Sequence, residues 1–180
     1  ARMPRPDLKE IDLRELVKQT LFLERNRCPE ISYEESLPDK NVLIRCDRQQ
    51  IGRALTNILK NAAESVESRR EKNSDAPAGK ITLKLTVDEA GPRVEIVDNG
   101  GGFPPELLDR ITEPYVTTRE RGTGLGLAIA KKIMEDHNGE LMLGNNATEG
   151  ATVVLMFYKA GSFKMPGQER ASNSTDGEVL

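Results

Sequence analysis

The chain contains no tryptophan, and only four phenylalanines and three tyrosines among its 180 residues. So few aromatics argue against a base-stacking surface for single-stranded nucleic acid. Neither sign of charge dominates: 26 Lys and Arg stand against 29 Asp and Glu, a net charge of −3, so no global field draws DNA or anionic lipid. Cysteine is scarce. Cys28 and Cys46 show neither metal-ligand spacing nor a disulfide framework, and a reduced intracellular compartment is the natural expectation. No apolar run approaches the roughly 20 residues needed to cross a bilayer, and no signal peptide opens the chain. The first residue is Ala, which fits a segment excised from a longer protein. Histidine occurs once, at His137.

What is present suits one soluble domain with a tail, at 37% hydrophobic and 31% charged residues. Residues 1–6 carry two prolines and read as an extended lead-in. A helix follows, capped by Asp12, with Leu13, Leu16, Val17, Thr20, Leu21 and Leu23 as its apolar period. Pro29 ends it. Short strands are expected at Ile31–Glu35 and Val42–Cys46. Asp47 then caps a long helix to about Arg70, whose stripe of Ile51, Leu55, Ile58, Leu59, Ala62 and Val66 has the spacing of one buried face. Ile81, Leu83, Leu85 and Val87 alternate as a half-buried strand does, and a turn at 89–92 returns the chain through Val94–Asp98. Regular pattern is lost from Asn99 to Thr123, apart from a short helix after Pro105; a loop this long is usually functional or disordered. A helix from near Gly124 to His137 and strands at Glu140–Leu143 and Ala151–Tyr158 complete the pattern. The order lacks the strict alternation of a doubly wound fold. An α/β sandwich is the economical architecture, with helices layered on one face of a mixed, mostly antiparallel sheet.

Four local features carry chemistry. Asn57 and Asn61, four apart on the long helix, point the same way and offer carboxamide oxygens to a hard cation such as Mg²⁺; otherwise they are a polar stripe. Asp98-Asn99-Gly100-Gly101-Gly102 ends a strand with three glycines, where something approaches the backbone closely, and its Asp can accept from an exocyclic amino group such as that of adenine. Gly122-Thr123-Gly124-Leu125-Gly126-Leu127 opens a helix, whose free N–H groups and dipole form a phosphate site. Its spacing matches neither the Rossmann fingerprint nor a Walker lysine motif. Gly150-Ala151-Thr152, finally, precedes the last strand.

In this order, over roughly Asp47 to Phe157, the features resemble the gyrase, heat-shock-chaperone, histidine-kinase and MutL ATPase superfamily with its Bergerat fold. The run Gly-Thr-Gly-Leu-Gly-Leu-Ala is similar to the sensor histidine kinase branch. The opening Ala-Arg-Met-Pro-Arg-Pro and the short lid are most similar to NtrY-type nitrogen-regulation sensor kinases. The resemblance implies a domain binding ATP and Mg²⁺, with Asn57 and Asn61 as the catalytic pair and Asn61 as the metal ligand. It implies that Asp98 holds the adenine amino group, with Gly100, Gly102 and Thr152 in support. Gly122, Gly124 and Gly126, with Thr123, Leu125 and Leu127 between them, would form the lid hinge and its phosphate-binding amides. Thr117, Thr118 and Arg119 match a short-lid pattern and would reach the terminal phosphates. The sequence departs from the family at Glu64, where many members carry Lys or Arg, and at Tyr115, where many carry a Phe; Arg119 or Arg121 is the expected substitute for the missing charge.

The resemblance also implies an acceptor histidine. His137 sits at a helix end before Asn138-Gly139, where a histidine caps the last carbonyls, so it is read as structural. The acceptor then belongs to an upstream dimerisation domain. Residues 1–28 are expected to be a linker and first helix leading from it, residues 29–159 the ATP-binding domain and residues 160–180 a disordered tail. Implied partners are that upstream domain and a cognate response regulator, in a parent anchored as a homodimer in a bacterial inner membrane, with this segment on the cytoplasmic side. The chain alone is expected to bind ATP without autophosphorylation. The rival readings are a gyrase-like or MutL-like ATPase, disfavoured because Asn57 stands where those place a water-activating Glu, an anti-sigma-factor serine kinase, and a nucleotide-binding pseudokinase scaffold.

Overall fold

A computed structural model describes residues 3–117, 123–147 and 150–159. The elements run β1 (Lys9–Asp12), α1 (Leu13–Arg27), β2 (Ser32–Ser36), β3 (Leu43–Cys46), α2 (Arg48–Lys72), β4 (Lys80–Val87) and β5 (Pro92–Asp98). A single 3₁₀ turn at Pro105–Leu107 follows, then α3 (Gly126–Asp136), β6 (Gly139–Asn145) and β7 (Ala151–Phe157).

Five strands form one sheet in the order β2-β4-β5-β7-β6, with β2 parallel to β4 and every other pair antiparallel. Alternation decides which face is covered. Ile81, Leu83 and Leu85 of β4, Val94 and Ile96 of β5, and Val153, Leu155 and Phe157 of β7 all project into the core. α2 and α3 pack over that face and against each other, and α1 packs on α2. The α2 stripe expected from periodicity (Ile51, Leu55, Ile58, Leu59, Ala62, Val66) is buried as read, and burying each large member stabilises the fold by roughly 1.5–3 kcal/mol. α1 adds Leu13, Leu16, Val17 and Leu21 to the same core.

Three local features differ from the sequence reading. β1 is a strand that periodicity does not reveal, because Lys9–Asp12 has no apolar alternation; its pairing with Leu43–Cys46 makes a separate two-stranded ribbon. Leu23 is 65% exposed, since it projects beside rather than along the buried stripe of Leu13, Val17, Thr20, Leu21 and Glu24. α3 begins at Gly126 rather than near Gly124, because Gly124 has φ +65, outside the right-handed helical region.

Two aspartates start the helices. Asp12 Oδ1 accepts from Arg14 N–H at 3.0 Å and from Val42 N–H at 3.0 Å, so the cap of α1 also holds the approach to β3. Asp47 Oδ1 accepts from Gln50 N–H at 3.0 Å and its Oδ2 from Asp7 N–H at 2.9 Å. Asp47 thus caps α2 and ties down the lead-in.

Candidate functional site

α2 serves two purposes, with its apolar stripe and with the polar edge that flanks it. Its apolar stripe is in the core, and its half-buried Asn57 and Asn61 look toward the start of α3. Asn57 Nδ2 donates to the Gly126 carbonyl at 3.3 Å. A Cβ at Gly126 would lie 3.4 Å from Asn61 Nδ2 and 3.6 Å from its Oδ1, so glycine leaves the Asn61 carboxamide its room. The donor set fits Mg²⁺: a neutral amide oxygen is enough when nucleotide phosphates and waters supply the remaining ligands.

β5 ends at Asp98, which is 5% exposed. Its Oδ1 accepts from Gly100 N–H at 2.8 Å and Ala151 N–H at 3.3 Å, which orients the carboxylate before any ligand arrives. The flanking glycines are dictated by space. Gly150 has φ +145, and a Cβ there would lie 2.1 Å from the Asp98 carbonyl oxygen. A Cβ at Gly100 would lie 2.7 Å from the backbone of residue 65, one turn beyond Asn61 on α2. The loop with the acidic residue and the helix with the asparagines therefore touch.

The third wall is the entry to α3. Gly124 has φ +65, and a Cβ there would meet the Tyr115 carbonyl carbon at 2.7 Å, while Tyr115 N–H donates to the Gly124 carbonyl at 3.1 Å. Tyr115 itself has φ +67 and a ring that is 78% exposed. Among the described residues Leu125, at the N-cap of α3, makes no side-chain cap for the helix, and the first turn at Gly126 lies beside Asn57 and Asn61. Thr123 Oγ1 accepts from Leu125 N–H at 3.4 Å. Leu127 is buried in the core, so any role in binding belongs to its backbone. Thr117 lies exposed at the edge of the described lid. Thr118, Arg119, Arg121 and Gly122 lie outside the described residues.

One expected contact falls elsewhere. Thr152 pairs with Val97, so strand alternation sets it on the sheet face opposite the helices, whereas Asp98 shares the helix-covered face with Val94 and Ile96. The residue that meets Asp98 is Ala151, through its amide. Two framing residues escaped the sequence reading. Asn145 Oδ1 accepts from Phe103 N–H and its Nδ2 donates to the Phe103 carbonyl, both at 2.7 Å, and Asn146 Nδ2 donates to the Asp98 carbonyl at 2.9 Å. The only available signal was the Asn145-Asn146 pair itself, which reads equally as a plain turn.

His137 is engaged on both ring nitrogens. Nε2 accepts from Asp47 N–H at 3.0 Å, and Nδ1 lies 2.7 Å from the Ile133 carbonyl, which makes Nδ1 the protonated nitrogen. It links the end of α3 to the start of α2. Away from the cleft, Cys28, Glu30 and Glu67 bring ligand atoms within 4.8 Å of one another. Burial pushes the Cys28 thiol up from its ordinary value.

The sequence profile of the histidine kinase-, DNA gyrase B- and HSP90-like ATPases matches residues 46–161. Nitrogen regulation protein NtrY of Azorhizobium caulinodans is 44% identical over 155 residues, covering 83% of this chain and 19% of that protein. The sensory histidine kinase/phosphatase NtrB of Vibrio alginolyticus is 40% identical over 139 residues, covering 71% of this chain and 37% of that protein. Among solved structures, the catalytic domain of the histidine kinase ThkA superposes with a TM-score of 0.73 at 28% identity, covering 85% of this chain and 96% of that one. Full-length ShkA, solved in complex with AMPPNP, gives a TM-score of 0.72 at 25% identity, covering 90% of this chain and 34% of that one. The chain spans about a fifth to a quarter of the length of the NtrY and NtrY-like relatives it matches. With a one-sided α/β sandwich around an Asn57/Asn61 stripe, a buried Asp98 and a glycine-led helix entry, the chain belongs to the histidine kinase-, DNA gyrase B- and HSP90-like ATPase family, as an ATP-binding domain of the sensor histidine kinase kind.

Proposed function

We propose that this domain holds MgATP and presents its γ-phosphoryl group to a histidine on a separate, upstream dimerisation domain of a sensor kinase. The observation that carries the reading is that α2, with Asn57 and Asn61, touches both the start of α3 at Gly126 and the loop that follows Asp98 at Gly100. Asp98 accepts a hydrogen bond from the adenine amino group, its orientation set by the amides of Gly100 and Ala151. Asn61 offers its carboxamide oxygen to Mg²⁺, and Asn57 holds the α3 entry through Gly126. An ion held there by Asn61 would supply positive charge against the charge that develops in transfer. The amides of residues 124–127 take the phosphates at the positive end of α3. Thr117, Thr118, Arg119 and Gly122 are proposed to complete the lid over the terminal phosphates. Positioning and charge neutralisation are what phosphoryl transfer chiefly needs, so no side chain here has to act as nucleophile.

The engagement of both His137 nitrogens supports an acceptor outside this chain. Likeness to NtrY and NtrB supports nitrogen-related signalling by a sensory histidine kinase. The parent is proposed to be a homodimer anchored in the inner membrane, with this segment facing the cytoplasm and a response regulator as its partner. Among the described residues no helix is long and apolar enough to cross a membrane.

Titration with a non-hydrolysable ATP analogue, with and without Mg²⁺, tests the site. Binding that strengthens with Mg²⁺ and is lost in Asp98→Ala supports it; an unaltered Asp98→Ala affinity refutes the adenine contact. Transfer of acid-labile label from γ-labelled ATP to an added NtrY-type acceptor domain tests the reaction.

A further inference from the structure

The polar face of α2 does not stop at the two asparagines. Ser65 and Arg69 follow at the same four-residue interval, so Asn57, Asn61, Ser65 and Arg69 lie along one side of the helix. Ser65 Oγ accepts from Gly101 N–H at 3.2 Å. The half-buried Arg69 guanidinium donates through Nη1 to the Asn99 carbonyl, a charge-assisted bond. Asn99 carries the connection onward, its Oδ1 accepting from Lys80 N–H at 2.8 Å and its Nδ2 donating to the Ala78 carbonyl at 2.9 Å. The segment 99–101, which begins immediately after Asp98, is thus fastened to the helix that bears Asn57 and Asn61.

We propose that Ser65 and Arg69 are positioning residues for adenine recognition, setting the distance between the base-binding carboxylate and the phosphate-side asparagines. This rests on the reading of the cleft as an ATP site. The reason is geometric. The backbone of Asp98 is fixed by pairing with Ile81, but one of the amides that orients its carboxylate belongs to Gly100. Gly100 lies in a run of three glycines with wide backbone freedom, which keeps its place when the loop is held. Two bonds from consecutive turns of α2 hold it, one to an N–H and one to a carbonyl. The plain alternative is that Arg69 favours only the helix dipole, since it lies in the last turn of α2 with Arg70 and Lys72. Arg70 shares that benefit but is exposed, so it separates the two explanations.

The test is titration of the full chain with non-hydrolysable analogues of ATP and GTP, and with inorganic tripolyphosphate, at fixed Mg²⁺. Arg69→Ala is expected to weaken the ATP analogue about tenfold and Ser65→Ala about fivefold, the scale of one charge-assisted and one neutral hydrogen bond. The preference for ATP over GTP should fall by similar factors while tripolyphosphate binding holds, a pattern that general loss of stability does not produce. Arg69→Lys should recover part of the loss, and Arg70→Ala should match the wild type. Wild-type affinity and base preference in folded Arg69→Ala and Ser65→Ala would overturn the proposal. If Arg69→Ala does not fold, Ser65→Ala decides alone, since Ala is at least as good a helix former as Ser. A wild-type chain that binds neither nucleotide overturns the ATP-site reading and this proposal together; unchanged variants of a binding wild type overturn only the latter.

Discussion

At the scale of single residues, the site is shaped by what has been left out. Gly150 leaves space for the Asp98 carbonyl, and Gly124 for the backbone of Tyr115 and Val116. Gly150→Ala forces both a positive φ and a collision 2.1 Å from the Asp98 oxygen. It is expected to cost roughly 1–3 kcal/mol in urea unfolding and to reduce nucleotide binding with it. Gly101→Ala is the matched control, since nothing lies within 4 Å of a Cβ there. Cys46 gives a pH-dependent expectation. Burial pushes its thiol from an ordinary 9.0 up to about 12, helped by the neighbouring Asp47. A raised folded value means that the folded state keeps its proton where the unfolded chain releases it. That stabilisation is complete below pH 9 and is lost as pH climbs toward 12. Between pH 8 and pH 10 the wild type should lose on the order of 1 kcal/mol more than Cys46→Ala, measured by denaturant melts at each pH.

At the scale of elements, α2 carries more of the molecule than any neighbour. One face supplies Ile51, Leu55, Ile58 and Leu59 to the core, and its edge carries Asn57 and Asn61 of the candidate site. Leu55→Ala should therefore cost roughly 2–5 kcal/mol and empty part of the space beneath the cleft. The start of α2 is equally specific. Burial works against the ionised Asp47, but backbone bonds from Asp7, Gln50 and Gln49 outweigh it and hold the carboxyl below its ordinary 3.8. With a lowered folded value, the cap contributes above the unfolded value and is lost as pH falls through the folded one. Asp47→Ala should reduce stability at pH 7 by about 1 kcal/mol, while Asp47→Asn, still a capping side chain, keeps most of it. Equal losses in the two variants would show that charge rather than capping geometry matters. His137 joins this cap to the end of α3, so the two helices that wall the cleft are braced at a point remote from it.

At the scale of the whole molecule, covering one sheet face with helices brings α2, α3 and the ends of β5 and β7 together around the candidate site. The groups proposed to hold the ligand come from these four elements, among them Asp98 of β5 and the half-buried Asn57 and Asn61 of α2. The chain's one histidine is used as a brace, and the proposed function requires an acceptor from elsewhere. Incubation of the chain with γ-labelled ATP should accordingly leave it unlabelled, whereas addition of an acceptor domain in trans should yield acid-labile label on the acceptor. Label on His137 itself would contradict its structural role.

Much of this was legible from the linear order. Periodicities of two and 3.6 name the faces of β4, β5 and α2, because a strand or helix half-buried on one side must write that pattern into its residues. Asn57/Asn61, the Asp98 glycines and the 122–127 run stood out through their order along the chain, which resembles the family's, more than through any one spacing. Tertiary structure alone decided the rest. β1 exists only because Leu43–Cys46 pairs with it, a contact between residues more than 30 apart that leaves no apolar alternation in Lys9–Asp12. The register of β5 against β7 gave the Asp98 contact to the Ala151 amide and turned Thr152 to the other face, since a shift of one residue reverses every side chain in a strand. Ser65, Arg69, Asn145 and Asn146 are ordinary polar residues in the sequence. Their contacts arise where separate elements meet, and no local pattern encodes which carbonyl a distant side chain will find.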